Sequence, residues 1–116
     1  MKDIKLRNFT IANNKPFTLM GGVNVLESEE MVMQVAEKFK TISDKHNINW
    51  IFKGSFDKAN RSSIDSFRGP GMDEGLKLLE KVSSNFDCPV ITDIHEPNQA
   101  MPVSEICEII QVPAFL

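Results

Sequence analysis

Apolar residues recur at helical spacing in two stretches, Met31, Val35, Phe39 and Ile42, then Met72, Leu76, Leu79, Val82 and Phe86. Such a stripe buries one face of a helix against a core. Ser28 stands where an N-cap belongs, and Glu29 and Glu30 follow where they oppose the helix dipole, so the first helix is read from there to about Lys45, closed by His46-Asn47. A short, nearly unbroken apolar run follows each helix: Asn49 to Lys53, with Trp50, Ile51 and Phe52, and, past Asp87-Cys-Pro89, Val90 to Asp93. Runs of this kind suit strands covered on both faces. In a third unit Asn98 is read as the cap of a short helix to roughly Ser104, and Glu105 to Gln111 holds the strand Ile106 to Ile110. At the start, imperfect alternation over Ile4 to Ile11, the turn signal Asn13 to Pro16 and the apolar Phe17 to Met20 predict a β-hairpin. Gly21-Gly22 then permits a sharp turn or a close approach of backbone to a ligand.

Strands separated by single helices imply right-handed βαβ units and a parallel sheet, hence an α/β fold. Four strands with three helices are about half of a TIM (β/α) barrel, which takes ~250 residues. Residues 1–116 are therefore read as a single incomplete barrel domain, with 1–20 as the N-terminal hairpin running into the first barrel strand and 21–116 as the first βα units. The last strand lacks the helix that should cover it, so the chain reads as the N-terminal piece of a larger protein. Open sheet edges in such a piece favour self-association.

Composition narrows the partners. The chain has 116 residues, 41% hydrophobic and 25% charged, enough for a real core. A net charge of −3 gives no overall attraction for nucleic acid or an anionic membrane. No apolar run approaches the ~20 residues of a membrane span, and Met1 to Lys5 lacks the apolar core of a signal peptide, so a cytoplasmic protein is expected. Cys88 and Cys107 have no metal-ligand spacing and read as reduced packing residues.

Local charge departs from the average. Between Lys53 and Arg68, Lys53, Lys58, Arg61 and Arg68 outweigh Asp57 and Asp65, with Asn60, Ser62 and Ser63 adding neutral donors. This stretch suits a phosphate or carboxylate, with Arg as a bidentate fork and Lys as a point charge; a solvated polar loop is the alternative. Asn24, Lys53 with Ser55, Asp93 with His95, and Gln111 each fall at or just past the C-terminal end of one strand, and residues two apart share a face. In a barrel that face carries the chemistry. Taken singly, His95 could cap the following helix, Asp93 could be a turn acid, and Gln111 could satisfy a loop carbonyl.

The motifs Gly21-Gly-Val-Asn-Val-Leu-Glu-Ser28, Phe52-Lys-Gly-Ser-Phe-Asp-Lys-Ala-Asn-Arg-Ser-Ser63, Phe67-Arg-Gly-Pro-Gly71, Ile91-Thr-Asp-Ile-His-Glu-Pro97 and Gln111-Val-Pro-Ala-Phe-Leu116 resemble, in this order, the N-terminal part of the 3-deoxy-D-manno-octulosonate 8-phosphate synthases. The resemblance implies a TIM-barrel enzyme, usually a homotetramer, with the hairpin closing the barrel bottom. It condenses phosphoenolpyruvate with D-arabinose 5-phosphate and water for lipopolysaccharide synthesis. By motif position Lys53, Ser55 and Lys58 would hold phosphoenolpyruvate, helped by Gln111 and the backbone of Ala114. Asn60, Arg61 and Ser62 would take the arabinose 5-phosphate, while Asp93, His95, Lys58 and Asn24 would lie at the reaction centre. Metal-requiring members carry a cysteine where Asn24 stands, so no metal and no cofactor are expected. Later family residues have no counterpart here, and the chain by itself is expected to turn over no substrate. The alternatives are the related 3-deoxy-D-arabino-heptulosonate 7-phosphate synthases, which typically show Lys-Pro-Arg-Thr in place of Lys58-Ala-Asn-Arg-Ser62, and a half barrel without chemistry.

Overall fold

The computed structural model describes residues 2–58, 65 and 67–114. The elements run β1 (Ile4–Lys5), β2 (Thr10–Ile11), β3 (Thr18–Gly22), α1 (Glu29–His46), β4 (Asn49–Lys53), α2 (Met72–Phe86), β5 (Val90–Asp93), a 3-10 turn (Pro97–Gln99), α3 (Ala100–Ser104) and β6 (Ile109–Gln111). The long helices begin and end for local reasons. The Ser28 hydroxyl accepts the Met31 N–H at 3.2 Å, and Asn47 closes α1 in the left-handed region at φ 55°. Asp87, at φ 47°, does the same for α2.

β3, β4, β5 and β6 form one parallel sheet in that order. Chain neighbours are therefore sheet neighbours, as in the wall of a (β/α) barrel, and four strands with three helices make about half of one. Register sets Met20 beside Ile51, Gly22 beside Lys53, Lys53 beside Ile91, and Asp93 beside Gln111. On the helix side, Trp50, Phe52 and Val90 join Val32 and Ala36 of α1, Leu79 and Val82 of α2, and Val103 of α3 in a single core. Fully burying side chains of this size stabilises by roughly 1.5–3 kcal/mol each. Phe39 stacks on Trp50 at 5.8 Å, and the indole N–H donates to the Gly21 carbonyl at 2.9 Å. Strand alternation turns Ile51 and Ile91 to the other side, where both are buried.

Two segments depart from the sequence reading, the N-terminal hairpin and the third unit. The hairpin closes inside residues 4–11, with Ile4 opposite Ile11 and Lys5 opposite Thr10, instead of pairing that segment with Phe17–Met20. A turn does form at the predicted place, where the Lys15 N–H reaches the Ala12 carbonyl at 3.2 Å, but it sends the chain onward into the sheet. There β3 gains a five-residue ladder with β4 and cover from α1, more than a two-residue local pairing provides. The glycine pair also lets the chain pack closely on itself. A Cβ on Gly21 would lie 2.5 Å from the Phe39 ring, and one on Gly22 would lie 2.0 Å from the Lys53 carbonyl oxygen. In the third unit Asn98 sits inside the 3-10 turn, and Glu96 caps it through a box with Gln99. The last strand starts at Ile109, because the N–H groups of Ile106 and Cys107 are held by the Val103 carbonyl at the end of α3.

Candidate functional site: the C-terminal rim of the sheet

Parallel strands in sequential order bring their C-terminal ends to one edge of the sheet, and the side chains there converge from separate segments. At the end of β4, Lys53 is half-buried and Ser55 fully buried. The Lys53 carbonyl accepts the Val23 N–H at 2.9 Å and the Ser55 carbonyl accepts the Leu26 N–H at 3.0 Å, which laces the loop carrying the exposed Asn24 to this strand end. The Gly54 N–H reaches across to the Ile91 carbonyl at 3.3 Å. The Ser55 hydroxyl donates to the Asp57 carbonyl at 3.1 Å.

Asp93 ends β5 and is 7% exposed. Its Oδ2 lies 3.2 Å from His95 Nε2. The two atoms are close but out of line for a hydrogen bond, so that buried nitrogen has no hydrogen-bond partner among the described residues. His95 is nonetheless held at its backbone and at one edge of its ring. Its backbone N–H donates to Gln99 Oε1 at 2.8 Å, and Phe56 meets it edge-on at 6.2 Å. A partly buried imidazole with an unfilled valence can bind a polar ligand atom or exchange a proton with one. Gln111 ends β6 beside Asp93, half-buried, with its carbonyl accepting the Ile94 N–H at 3.1 Å.

The structure thus gathers Asn24, Lys53, Ser55, Asp93, His95 and Gln111 at four neighbouring strand ends. Lys58 lies further along the loop after β4 and is half-buried; Ala114 is exposed beyond β6. Asn60, Arg61 and Ser62 fall outside the described residues. Sequence reasoning missed the supports. Glu96-Pro-Asn-Gln99 spells a capping signature that could have been recognised, but nothing local marks Phe56 as the wall of the histidine.

Two clefts lie away from this rim. One of about 570 Å³ runs along the outer face of α1 past Val35, Phe39 and Ile42, and another of about 110 Å³ lies near the N-terminal strand ends by Phe9 and Pro89. The first is largely apolar, and the second gathers Lys40, Asp44 and Asp87 at the N-terminal strand ends, the face that in barrels carries stability. An open half-wall presents a surface where a closed barrel would present a cup, so concavity is a poor guide here and the convergence of side chains is the better one.

A sequentially ordered parallel sheet, helices on one face and polar groups at the C-terminal strand ends together define a protein of the (β/α) barrel class. Within that class the chain belongs to the DAHP synthetase I family, whose model matches residues 3–116. It is 58% identical over 115 residues to the 2-dehydro-3-deoxyphosphooctonate aldolase of Stutzerimonas stutzeri (strain A1501), a match covering 99% of this chain and 41% of that protein. The protein of the same name from Pseudoalteromonas translucida (strain TAC 125) is 58% identical over 113 residues, 97% of this chain and 40% of its own. That of Shewanella amazonensis (strain ATCC BAA-1098 / SB2B) is 55% identical over 116 residues, 100% of this chain and 41% of its own. The chain spans about two-fifths of the length of the curated relatives it matches. Among the described residues no helix is long and apolar enough to cross a membrane.

Proposed function

We propose that these residues supply part of the active site of an enzyme that joins phosphoenolpyruvate, D-arabinose 5-phosphate and water to give 3-deoxy-D-manno-octulosonate 8-phosphate and inorganic phosphate. The observation that carries this reading is the rim itself, where Lys53, Asp93, His95 and Gln111 meet on adjacent strand ends in a chain whose relatives bear the aldolase name. Both substrates are anionic. Lys53 meets no ion-pair partner among the described residues, so its ammonium is available to a carboxylate or phosphate. In this reading Lys53, Ser55 and Lys58 hold phosphoenolpyruvate, with Gln111 and the Ala114 backbone beside it, and Asn60, Arg61 and Ser62 take the pentose phosphate. C3 of phosphoenolpyruvate attacks the aldehyde, whose oxygen takes up a proton. Water adds at C2, and the C–O bond breaks as phosphate leaves. Asp93 and His95 stand at the reaction centre to move these protons, and fixed charges with positioning lower the barrier.

The finer features follow from the same reading: one barrel domain incorporating residues 1–116, a homotetramer, a cytoplasmic location and a role in lipopolysaccharide synthesis. Asn24 supports metal independence. Its exposed carboxamide stands where metal-requiring members place a thiolate, and an amide is a poor ligand for a soft divalent ion. Exhaustive chelation should leave turnover intact; loss that a divalent ion restores would contradict this.

The principal test is phosphate release from phosphoenolpyruvate with D-arabinose 5-phosphate. It would be measured on the encoded protein and on a chimaera in which residues 1–116 replace the matching segment of the Stutzerimonas stutzeri relative. An octulosonate phosphate product from the chimaera supports the proposal. A folded chimaera that binds neither substrate removes it. The family description favours a second reading, with erythrose 4-phosphate as the aldehyde; preference for that substrate in the same assay would establish it.

A further inference from the structure

Beyond the residues assigned above, the loop that leaves β4 is closed at its base by a clamp. The Arg68 guanidinium meets the Asp57 carboxylate with both forks, Nε to Oδ1 at 2.7 Å and Nη2 to Oδ2 at 3.0 Å. The same two stems are joined along the backbone, where the Lys58 N–H donates to the Arg68 carbonyl and the Gly71 N–H donates to the Phe56 carbonyl at 3.0 Å. Gly69 completes the closure. At φ 128° it takes a conformation open to glycine, and a Cβ there would sit 2.2 Å from the Phe56 carbonyl oxygen. Both ends of the loop are thereby tied to the strand end that carries Lys53, since the Asp57 carbonyl holds the Ser55 hydroxyl at 3.1 Å and Phe56 walls His95.

We propose that the Asp57–Arg68 pair is a positioning device. It fixes Ser55, Phe56 and Lys58 relative to Lys53 and His95, so that the cationic rim is assembled before an anion arrives. The inference rests on the reading of this rim as a phosphoenolpyruvate site. Exposed ion pairs generally contribute little to global stability. Arg68 is 55% exposed and Asp57 24%, so the effect of this one falls on local geometry. A bidentate fork specifies direction as well as distance, and Lys at position 68 would keep the charge while losing the fork. Positional errors of about 1 Å at a reacting centre can cost as much as ~100-fold, so a slackened clamp should be felt at the ligand.

The test uses the full chain with phosphoenolpyruvate as the probe. Amide hydrogen exchange is followed alongside calorimetric binding for Arg68→Met, Asp57→Asn, Arg68→Lys and the double variant Asp57→Asn/Arg68→Met. The amides of Lys58 and Gly71 should lose protection in the first two variants while those of α1 keep theirs, with melting temperature unchanged. Affinity should fall on the order of ten-fold, partly recover with lysine, and fall no further in the double variant than in the worse single one. Additive losses would mean that Arg68 acts on the ligand independently of Asp57, and would overturn the proposal. Unchanged exchange at Lys58 and Gly71 would overturn it equally. Absence of binding by the unaltered chain would remove the functional reading of the rim, while the exchange data would still decide the clamp.

Discussion

At the N-terminal ends of the strands, Arg7 reaches from the β1–β2 turn to the Ser83 hydroxyl at 2.6 Å, the Ser83 carbonyl at 3.3 Å, Glu108 at 2.9 Å and Asp87 at 3.4 Å. At the C-terminal ends, among the described residues, Lys53 meets no ion-pair partner and the buried His95 Nε2 meets no hydrogen-bond partner. Both ends carry charge, but the first satisfies Arg7 internally, whereas the second pairs Arg68 with Asp57 and leaves Lys53 open. A closed network ties the first turn of the chain to α2 and to the approach of β6, which is a task of stability. Open valences at the opposite end cost folding free energy unless a ligand meets them, and barrels divide their two faces along this line.

The sharpest way to break this comparison is Lys53→Met. Activity of the chimaera should drop by at least about 100-fold, since a fixed cation at developing charge is worth that much, while the melting temperature stays within a degree or two. Unfolding in place of inactivation would make Lys53 a structural residue. Arg7→Met should do the reverse. Loss of a partly buried hydrogen-bonded ion costs about 1–3 kcal/mol. With Arg7 and Glu108 side chains 30% and 26% exposed, solvent screening keeps the loss near the lower figure. Thermal denaturation of the chimaera should show a fall of about 2–4 °C per kcal/mol, as for a protein of a few hundred residues, with turnover per folded molecule unchanged. Reduced turnover at unaltered stability would assign Arg7 to function.

The smallest effect concerns the two thiols beneath this network. Burial pushes Cys88 up to about 11, with Arg7 pulling the other way, and pushes Cys107 up to about 12, both from an ordinary 9.0. Above 9.0 the unfolded thiols lose protons that the folded ones keep, so the unfolded state binds fewer protons and stability declines as pH rises toward 11 and then 12. Melting temperature against pH should therefore bend downward above about pH 9, and Cys88→Ala/Cys107→Ala should flatten that bend despite a lower stability at neutral pH. An identical alkaline slope in the variant would show that other groups cause it.

Much of this was legible along the chain. Ser28 and Asn47 delimit α1, and Met72 to Phe86 form α2, because capping chemistry and helical periodicity are properties of neighbouring residues. The strand ends were legible for the same reason, since alternation alone puts Lys53 with Ile51 and Asp93 with Ile91 on one face. Where local signals competed, the choice belonged to the tertiary structure. Thr18–Gly22 left the hairpin for the sheet because β4 offered it a five-residue ladder and α1 a face to pack on, and β6 began late because the end of α3 had taken the preceding N–H groups. The partners across the rim were decided by sheet order and loop closure: Phe56 against His95, Arg68 against Asp57, an unfilled nitrogen beside Asp93. Sequence determined which residues could serve at the strand ends. Only packing, which depends on distances between segments far apart in the chain, decided which of them meet and which are left open to a ligand.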